Sequence, residues 1–415
     1  LTARERLVFA LMGATMLFSG YDLNIFGLAL PQIQRSLHIP ENAAGLTVTY
    51  FRVAALAALL IAPLADRFGR RRLLLITIFG EAFFTVVTAF SQTYLQFVAA
   101  QILTRVFGYC EEALCFVVMA EEIDVGLRGW STGALAGMNA LGGGLASIVF
   151  ALVNILPFGW RALYLVGGAS LFLLALFRRR LPETARFETE RDDRQARNIP
   201  EGSVLQAMAG LAREYPGRLS VLLICMFSAG FAFEPAAVLM AKFLQEHDHY
   251  QPWQITVLFI GGGTFAVWGN VFAGRSSDRF GRKRTLIVTM LVGVVSFGAL
   301  YAGSGFVESA IAWVFAIFGY LGSAALLAGY PAEIFPTRYR ATAATLRYTT
   351  ITLGGALSLA LEGPLYDLLH GHGPAILVLL AAAPVSIVAV CFLPEPARRA
   401  LEDVSGDGPE TATPA

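Results

Sequence analysis

The chain has 415 residues, of which 56% are hydrophobic and only 15% charged, whereas soluble domains carry roughly 25% charged residues. That composition excludes a water-soluble enzyme or binding domain. A net charge of +1 excludes the strong basic field that would draw nucleic acid, so the expected surrounding is the lipid bilayer and no nucleic-acid partner is expected.

Apolar stretches of about 20 residues, long enough to cross a hydrocarbon core of roughly 30 Å, recur along the chain. They predict helices over 7–30, 44–65, 73–92, 95–119, 131–154, 161–177, 219–243, 253–274, 285–303, 309–332, 342–363 and 374–392. A helix is the one open structure that satisfies its own backbone in lipid. The first run follows Arg4 and Arg6 and is too long for a signal-peptide core, so it is expected to stay as the first span. Of the 31 Lys and Arg residues, all but Arg35, Arg52, Arg105, Arg161 and Lys242 lie in or beside the N-terminus, the segments 65–72, 120–130, 178–218, 274–284 and 333–347, and the C-terminal tail. The positive-inside rule places those segments, and both termini, in the cytoplasm. The chain then divides into an N-terminal half (1–177), a cytoplasmic linker (178–218), a C-terminal half (219–393) and a cytoplasmic tail (394–415) that reads as disordered beyond Asp403. Cys110, Cys115, Cys225 and Cys391 fall in apolar runs without a C-x-x-C pair and read as packing residues.

The halves repeat at a single offset. Asp66-Arg67-Phe68-Gly69-Arg70-Arg71-Arg72 recurs 212 residues later as Asp278-Arg279-Phe280-Gly281-Arg282-Lys283-Arg284. Glu121 and Arg128 recur as Glu333 and Arg340, and Leu181-Pro182-Glu183-Thr184-Ala185-Arg186 as Leu393-Pro394-Glu395-Pro396-Ala397-Arg398, again at 212. Three landmarks at one offset, each at a basic helix end, mean two parallel six-helix units.

The D-R-F-G-R-[RK]-R loops, the E-x6-R spacings and the P-E-x-A-R ends resemble the major facilitator superfamily, particularly its sugar-porter and metabolite:H+ symporter branches, and the resemblance spans nearly the whole chain. It implies an all-α membrane protein with 12 transmembrane helices in two parallel halves. It also implies a transporter working by alternating access, not an enzyme, with no cofactor beyond a proton or other ion gradient. The same resemblance assigns Asp66, Arg70, Glu121 and Arg128, with Asp278, Arg282, Glu333 and Arg340, to a cytoplasmic gate. Physically, Asp66 and Asp278 suit helix N-termini, where the dipole favours an anion, and Arg70 and Arg282 can bond Glu121 and Glu333.

Ionisable residues inside a bilayer are costly and mark function. Counting about 1.5 Å per residue from the cytoplasmic ends puts Asp22, Arg52, Arg105 and Glu234 in one layer roughly 21–25 Å up, and Glu81, Glu111 and Glu112 in a lower layer about 13–15 Å up. Asp22 and Glu234 are themselves 212 apart, so an acid occupies the same position in both halves. The upper layer balances its charges. The lower has three glutamates and no cation of its own, with Arg347 available to offset one, so some of these acids must hold a proton. Glu111, turned about 100° from Glu112, reads as a helix-packing acid.

Gly20-Tyr21-Asp22 is similar to the G-[YF]-D of the first helix in proton-coupled family members, where that aspartate takes the proton. Arg105 and Glu112, seven apart on one helix face, resemble the Arg-x6-Glu of the superfamily's organic-anion symporters. The sugar porters carry their arginine about one turn further from the E-x6-R glutamate, where Gln101 stands here. The proton-coupling candidates are therefore Asp22, Glu112, Glu234 and Glu81, and the solute-binding candidates Arg52, Arg105, Tyr21 and Gln101.

The favoured reading is proton-coupled uptake of a small organic anion such as a carboxylate, resting on two buried arginines. Sugar or polyol:H+ symport stays open, although Ala229-Gly230-Phe231-Ala232-Phe233-Glu234 replaces the glutamine-rich sugar-binding pattern. Cation or drug:H+ antiport stays open on the excess of acids, although Gly137-Met138-Asn139-Ala140-Leu141-Gly142 lacks the Gly-Pro element. A nutrient sensor without flux would need a signalling domain that the loops do not offer. No metal is expected, because His38, His247-Asp248-His249 and His370-Gly371-His372 read as solvated loop histidines. Glu234-Pro235 predicts an interruption near the middle of the seventh span, read as a hinge. Gly142-Gly143-Gly144 and Gly354-Gly355-Ala356 predict close helix contact between the halves. A monomer in a bacterial inner (plasma) membrane is expected.

Overall fold

The computed structural model describes residues 2–61, 70–123, 127–179, 204–303, 305–336 and 339–395. Every regular element among them is helical. The chain divides into two compact units, Leu1–Pro200 with His249–Phe259, and Glu201–Asp248 with Ile260–Ala415.

The first unit holds α1 (Ala3–Leu37), α2 (Ala44–Ile61), α3 (Arg70–Ala89), α4 (Tyr94–Glu122), α5 (Arg128–Phe150) and α6 (Trp160–Arg178). Thr2 and Glu5 open α1 with a reciprocal capping box, and His38 closes it in the left-handed region at φ 52°. Thr93 caps α4 by accepting the Gln96 N–H at 3.3 Å. Inside the unit α1 packs on α5, α3 packs on α4 and α6, and α2 packs on α4.

The second unit holds α7 (Val204–Glu214), α8 (Pro216–Val238), α9 (Met240–Glu246), most of α10 (Pro252–Phe280), α11 (Arg282–Tyr301), α12 (Phe306–Ile334), α13 (Arg340–Leu369), α14 (His372–Leu380) and α15 (Ala383–Phe392). Here α8 packs on α13 and α15, and α11 on α12. α7 and the first residues of α8 fall in the stretch read from sequence as a linker. With α8–α9 and α14–α15 each counted as one broken span and α7 set aside, six spans fall in each half of the sequence. Among the described residues, eight of these segments are long and apolar enough to cross a membrane. Large apolar side chains such as Phe83, Phe172, Val295 and Phe392 are exposed on the helix surfaces, as lipid-facing residues should be.

Small residues set how closely the helices approach. A Cβ on Gly142 of α5 would overlap the Leu17 carbonyl oxygen of α1, and one on Gly20 of α1 would overlap the Asn139 carbonyl oxygen of α5. In the second unit, Gly354 of α13 abuts the Phe227 carbonyl of α8 and Gly230 of α8 abuts the Ile351 carbonyl of α13. The glycine runs expected to join the halves therefore lock helix pairs within each unit, α1 to α5 and α8 to α13. Backbone contact this close needs a residue without a side chain.

The seventh span also differs from expectation. α8 continues through Pro235, and the break comes at Leu239 (φ −87°, ψ −1°), whose N–H still reaches the Pro235 carbonyl at 3.1 Å. Pro235 has no N–H to give to the turn before it, which bends the segment without ending the helix there. Cys391 is exposed, while Cys110, Cys115 and Cys225 are buried as packing residues should be.

Candidate functional site

A polar seam runs through the first unit between α1, α3, α4 and α6. Thr77, Glu81, Thr85 and Thr88 follow one another on one face of α3 and are all buried. Asp22 of α1, 1% exposed, accepts a hydrogen bond from Thr85 Oγ1 at 3.3 Å. It also faces Arg105 of α4, whose Nη1 lies 3.9 Å from its carboxylate. Arg105 Nη2 donates to the Asp22 carbonyl at 3.3 Å, the Leu23 carbonyl at 3.5 Å and Gln101 Oε1 at 3.3 Å. The Phe51 ring covers the guanidinium at 5.6 Å. Arg105 Nε makes no hydrogen bond among the described residues. A buried guanidinium thus holds its carboxylate at the edge of ion-pair distance, with donor capacity to spare.

One turn along α3, Glu81 is 2% exposed and takes a hydrogen bond from Ser19 Oγ, 2.9 Å and 3.2 Å from its two oxygens. Glycine at 108 makes room for it, since a Cβ there would stand 3.0 Å from Glu81 Oε1. A further turn along, Glu111 of α4 is bonded to Thr77 and paired with Arg178, the last residue of α6. The lower layer therefore has the cation that the sequence reading denied it, and Glu111 belongs to an ion pair rather than to helix packing alone.

The other candidates separate. Gln101 is buried, bonded to Arg105 and, at 3.1 Å, to Thr88, so it orients the arginine. Tyr21, expected to meet solute, is fully buried and donates to the Leu163 carbonyl at 3.0 Å, tying α1 to α6. Glu112 and Arg52 are partly exposed. In the second unit, Glu234 is partly exposed, lies across Gly355 of α13 and accepts from Tyr320 Oη at 3.5 Å.

Sequence reasoning missed two more buried charges. Glu362 of α13 is 0% exposed and bonded to His372 Nδ1 at 2.5 Å, with the Tyr366 ring 4.4 Å from the imidazole. His372 is therefore a partner of a buried acid rather than a solvated loop residue. Lys242 of α9 is buried and paired with Glu246 at 2.6 Å.

At the basic helix ends, Asp66 lies outside the described residues, as do the side chains of Arg70, Glu121 and Arg128. In the second unit Arg282 pairs with Asp278 and with Glu333, both at 2.9 Å. Arg340 Nε donates to the Phe335 carbonyl at 3.4 Å. Asp278 sits in the last turn of α10 rather than at a helix N-terminus. The carboxylate at the start of α11 is Glu395, which accepts the Arg282 N–H at 2.8 Å and the Lys283 N–H at 3.0 Å. Gly281, at φ 101°, leaves room for it.

The chain is 26% identical over 396 residues to a probable 4-methylmuconolactone transporter of Cupriavidus pinatubonensis, covering 92% of this chain and 89% of that one. It is 26% identical over 425 residues to the gallate transporter of Pseudomonas putida, covering 95% and 92%. The crystal structure of a D-xylose–proton symporter superposes with a TM-score of 0.76 at 16% identity, over 94% of this chain and 98% of that one, which is likeness of fold. The profile of the Major Facilitator Superfamily matches residues 12–268 and 222–413. With repeated halves and six spans in each, the chain belongs to the major facilitator superfamily and is an integral membrane transporter of twelve spans.

Proposed function

We propose that this transporter takes up a small organic anion, a carboxylate, together with a proton. The observation that carries the reading is Arg105: a buried guanidinium with a loosely held partner at 3.9 Å and an unspent Nε–H. Arginine keeps its charge in a protein, so near the middle of a membrane it needs an anion at all times. Asp22 is that anion at rest. Protonating Asp22 frees the guanidinium for an incoming carboxylate, and binding a carboxylate favours a neutral Asp22. Each event strengthens the other, which is the thermodynamic condition for symport. Gln101 and Phe51 hold the guanidinium plane in place.

The names of the two relatives, gallate and 4-methylmuconolactone, support an unsaturated organic acid as the solute. Arg52 would supply further positive charge, and Glu234 and Glu112 further proton-coupling groups. The Arg282–Glu333–Asp278 cluster would act as one latch of a cytoplasmic gate, with both termini on that side of a plasma membrane and the monomer as the working unit.

The test is a thermal-shift screen of organic acids, sugars and amines at two pH values, on wild type and Arg105→Ala. The reading expects organic acids to stabilise wild type, more so at the lower pH, and to lose that effect in Arg105→Ala. Stabilisation by sugars or amines alone would reject it.

A further inference from the structure

The seam in the first unit has three buried acids, Asp22, Glu81 and Glu111, and two buried arginines, Arg105 and Arg178. Arg105 stands with Asp22 and Arg178 with Glu111. Glu81, between the two pairs, has the Ser19 hydroxyl as its hydrogen-bond partner and no cation of its own among the described residues. The seam is therefore neutral when it holds one proton. A carboxylate buried without a counter-ion costs several kcal/mol, roughly, so that proton belongs to Glu81 or is lent to a neighbour.

The neighbours are close enough to borrow it. Glu81 and Thr85 are one turn apart on α3, and Ser19 and Asp22 are one turn apart on α1, steps of about 5–6 Å between side-chain origins. Thr85 of α3 donates to Asp22 of α1 and Ser19 of α1 donates to Glu81 of α3, so each carboxyl takes a hydroxyl from the other's helix. The charged groups facing Glu81 are Asp22 from α1, and Arg105 and Glu111 from α4. α6 contributes Arg178 through Glu111. Beyond that pair, Arg178 lines a mostly apolar cavity with Met12, Leu74, Val118, Glu122 and Arg4. Arg4 and Glu122, both on its wall, form an ion pair of 2.9 Å.

We propose that Glu81 is a second proton-holding group, which receives the coupling proton from Asp22 and passes it along the seam, inside one half, towards the end where Arg178 lies. In the transfer Glu81 first gives up its resting proton to solvent at the Arg178 end, the Asp22 O–H bond then breaks as a new O–H bond forms on Glu81, and Arg105 regains Asp22 as its anion. The resting seam carries one proton and the solute-loaded seam two, one of them balancing the solute's negative charge. Solute is released from Arg105, while the proton leaves by a route that the solute does not share.

The proposal rests on the symport reading above, and one experiment separates the two. Wild type, Glu81→Gln, Glu81→Asp and Asp22→Asn are reconstituted in proteoliposomes with gallate as the probe, and proton-driven accumulation is compared with solute counterflow. Counterflow needs the carrier to return loaded and never to discharge its proton. Glu81→Gln is expected to keep counterflow and to lose accumulation by about 100-fold, the range of a positioned proton-transfer group. Glu81→Asp restores part of it. Accumulation at the wild-type rate in Glu81→Gln overturns the proposal and leaves the symport reading intact. Loss of counterflow and accumulation together in Glu81→Gln overturns it as well, by making Glu81 a structural group. A wild type that shows no proton-driven uptake overturns the symport reading, and the proposal with it.

Discussion

Arg178 and Glu111 form an ion pair closed to solvent, with the guanidinium 1% and the carboxylate 0% exposed. The pair ties the end of α6 to the middle of α4, with Thr77 of α3, Cys115 of α4 and Met12 of α1 also in contact with it. Each charge is tolerated because the other is present. Arg178→Met or Glu111→Leu alone should cost about 3–5 kcal/mol, because either leaves one buried charge without a partner. The double variant should recover most of the loss. Thermal unfolding in detergent measures this, and a double variant no better than the singles would contradict it.

Arg105→Lys keeps the positive charge but gives up the planar fork that reaches Asp22, Leu23 and Gln101 together. Affinity for a carboxylate solute should fall about tenfold, equivalent to about 1.4 kcal/mol, with a much smaller change in unfolding temperature. Titration calorimetry against the best organic acid from the screen reads the first quantity. Wild-type affinity in Arg105→Lys would reduce Arg105 to a structural partner of Asp22.

Gly142 and Gly144 are two residues apart on α5 and make a controlled comparison. A methyl group on Gly142 would overlap a backbone carbonyl of α1, whereas one on Gly144 meets nothing within 4 Å. Gly142→Ala should destabilise by about 1–3 kcal/mol or more through forced separation of α1 and α5, and Gly144→Ala should not. Equal melting temperatures for the two variants would mean that the helix pair yields without cost.

His372→Leu should be far more damaging than Glu362→Gln. The first strands a fully buried carboxylate, at a cost of about 3 kcal/mol or more. The second keeps a neutral acceptor facing the imidazole. If thermal unfolding ranks them in the opposite order, the histidine is dispensable to Glu362.

The sequence made the spans, the repeat and the shared layer of Asp22 and Arg105 legible because each depends on local pattern. Apolar runs set helix length, a fixed offset sets the repeat, and an ionised residue in mid-span must find a partner. Arg178 was hidden for the opposite reason. It stands where an apolar run stops and a basic stretch starts, so it reads as the first residue of a linker, and only the packing of α6 against α3 and α1, which brings its end to Glu111, reveals that it is buried. Glu362 sits near the outer end of its predicted span and is likewise indistinguishable from a boundary residue. The glycine runs announced close contact correctly but not its partner, because smallness carries no address. The seventh span shows a third kind of limit. Pro235 marks where a backbone donor is missing, while the break falls at Leu239, where the freed turn finds its next stable geometry.

The hold of Glu395 on the first two N–H groups of α11 joins residues 113 and 112 positions apart in the chain. During synthesis α11 enters the membrane long before residue 395 exists, and the start of that helix must wait, hydrated or bound to lipid headgroups, until the last span has been made. The contact is therefore a late event in biogenesis that records arrival of the final helix. A chain released short of Glu395 would carry the later spans and still present an open helix end to the cell's quality control.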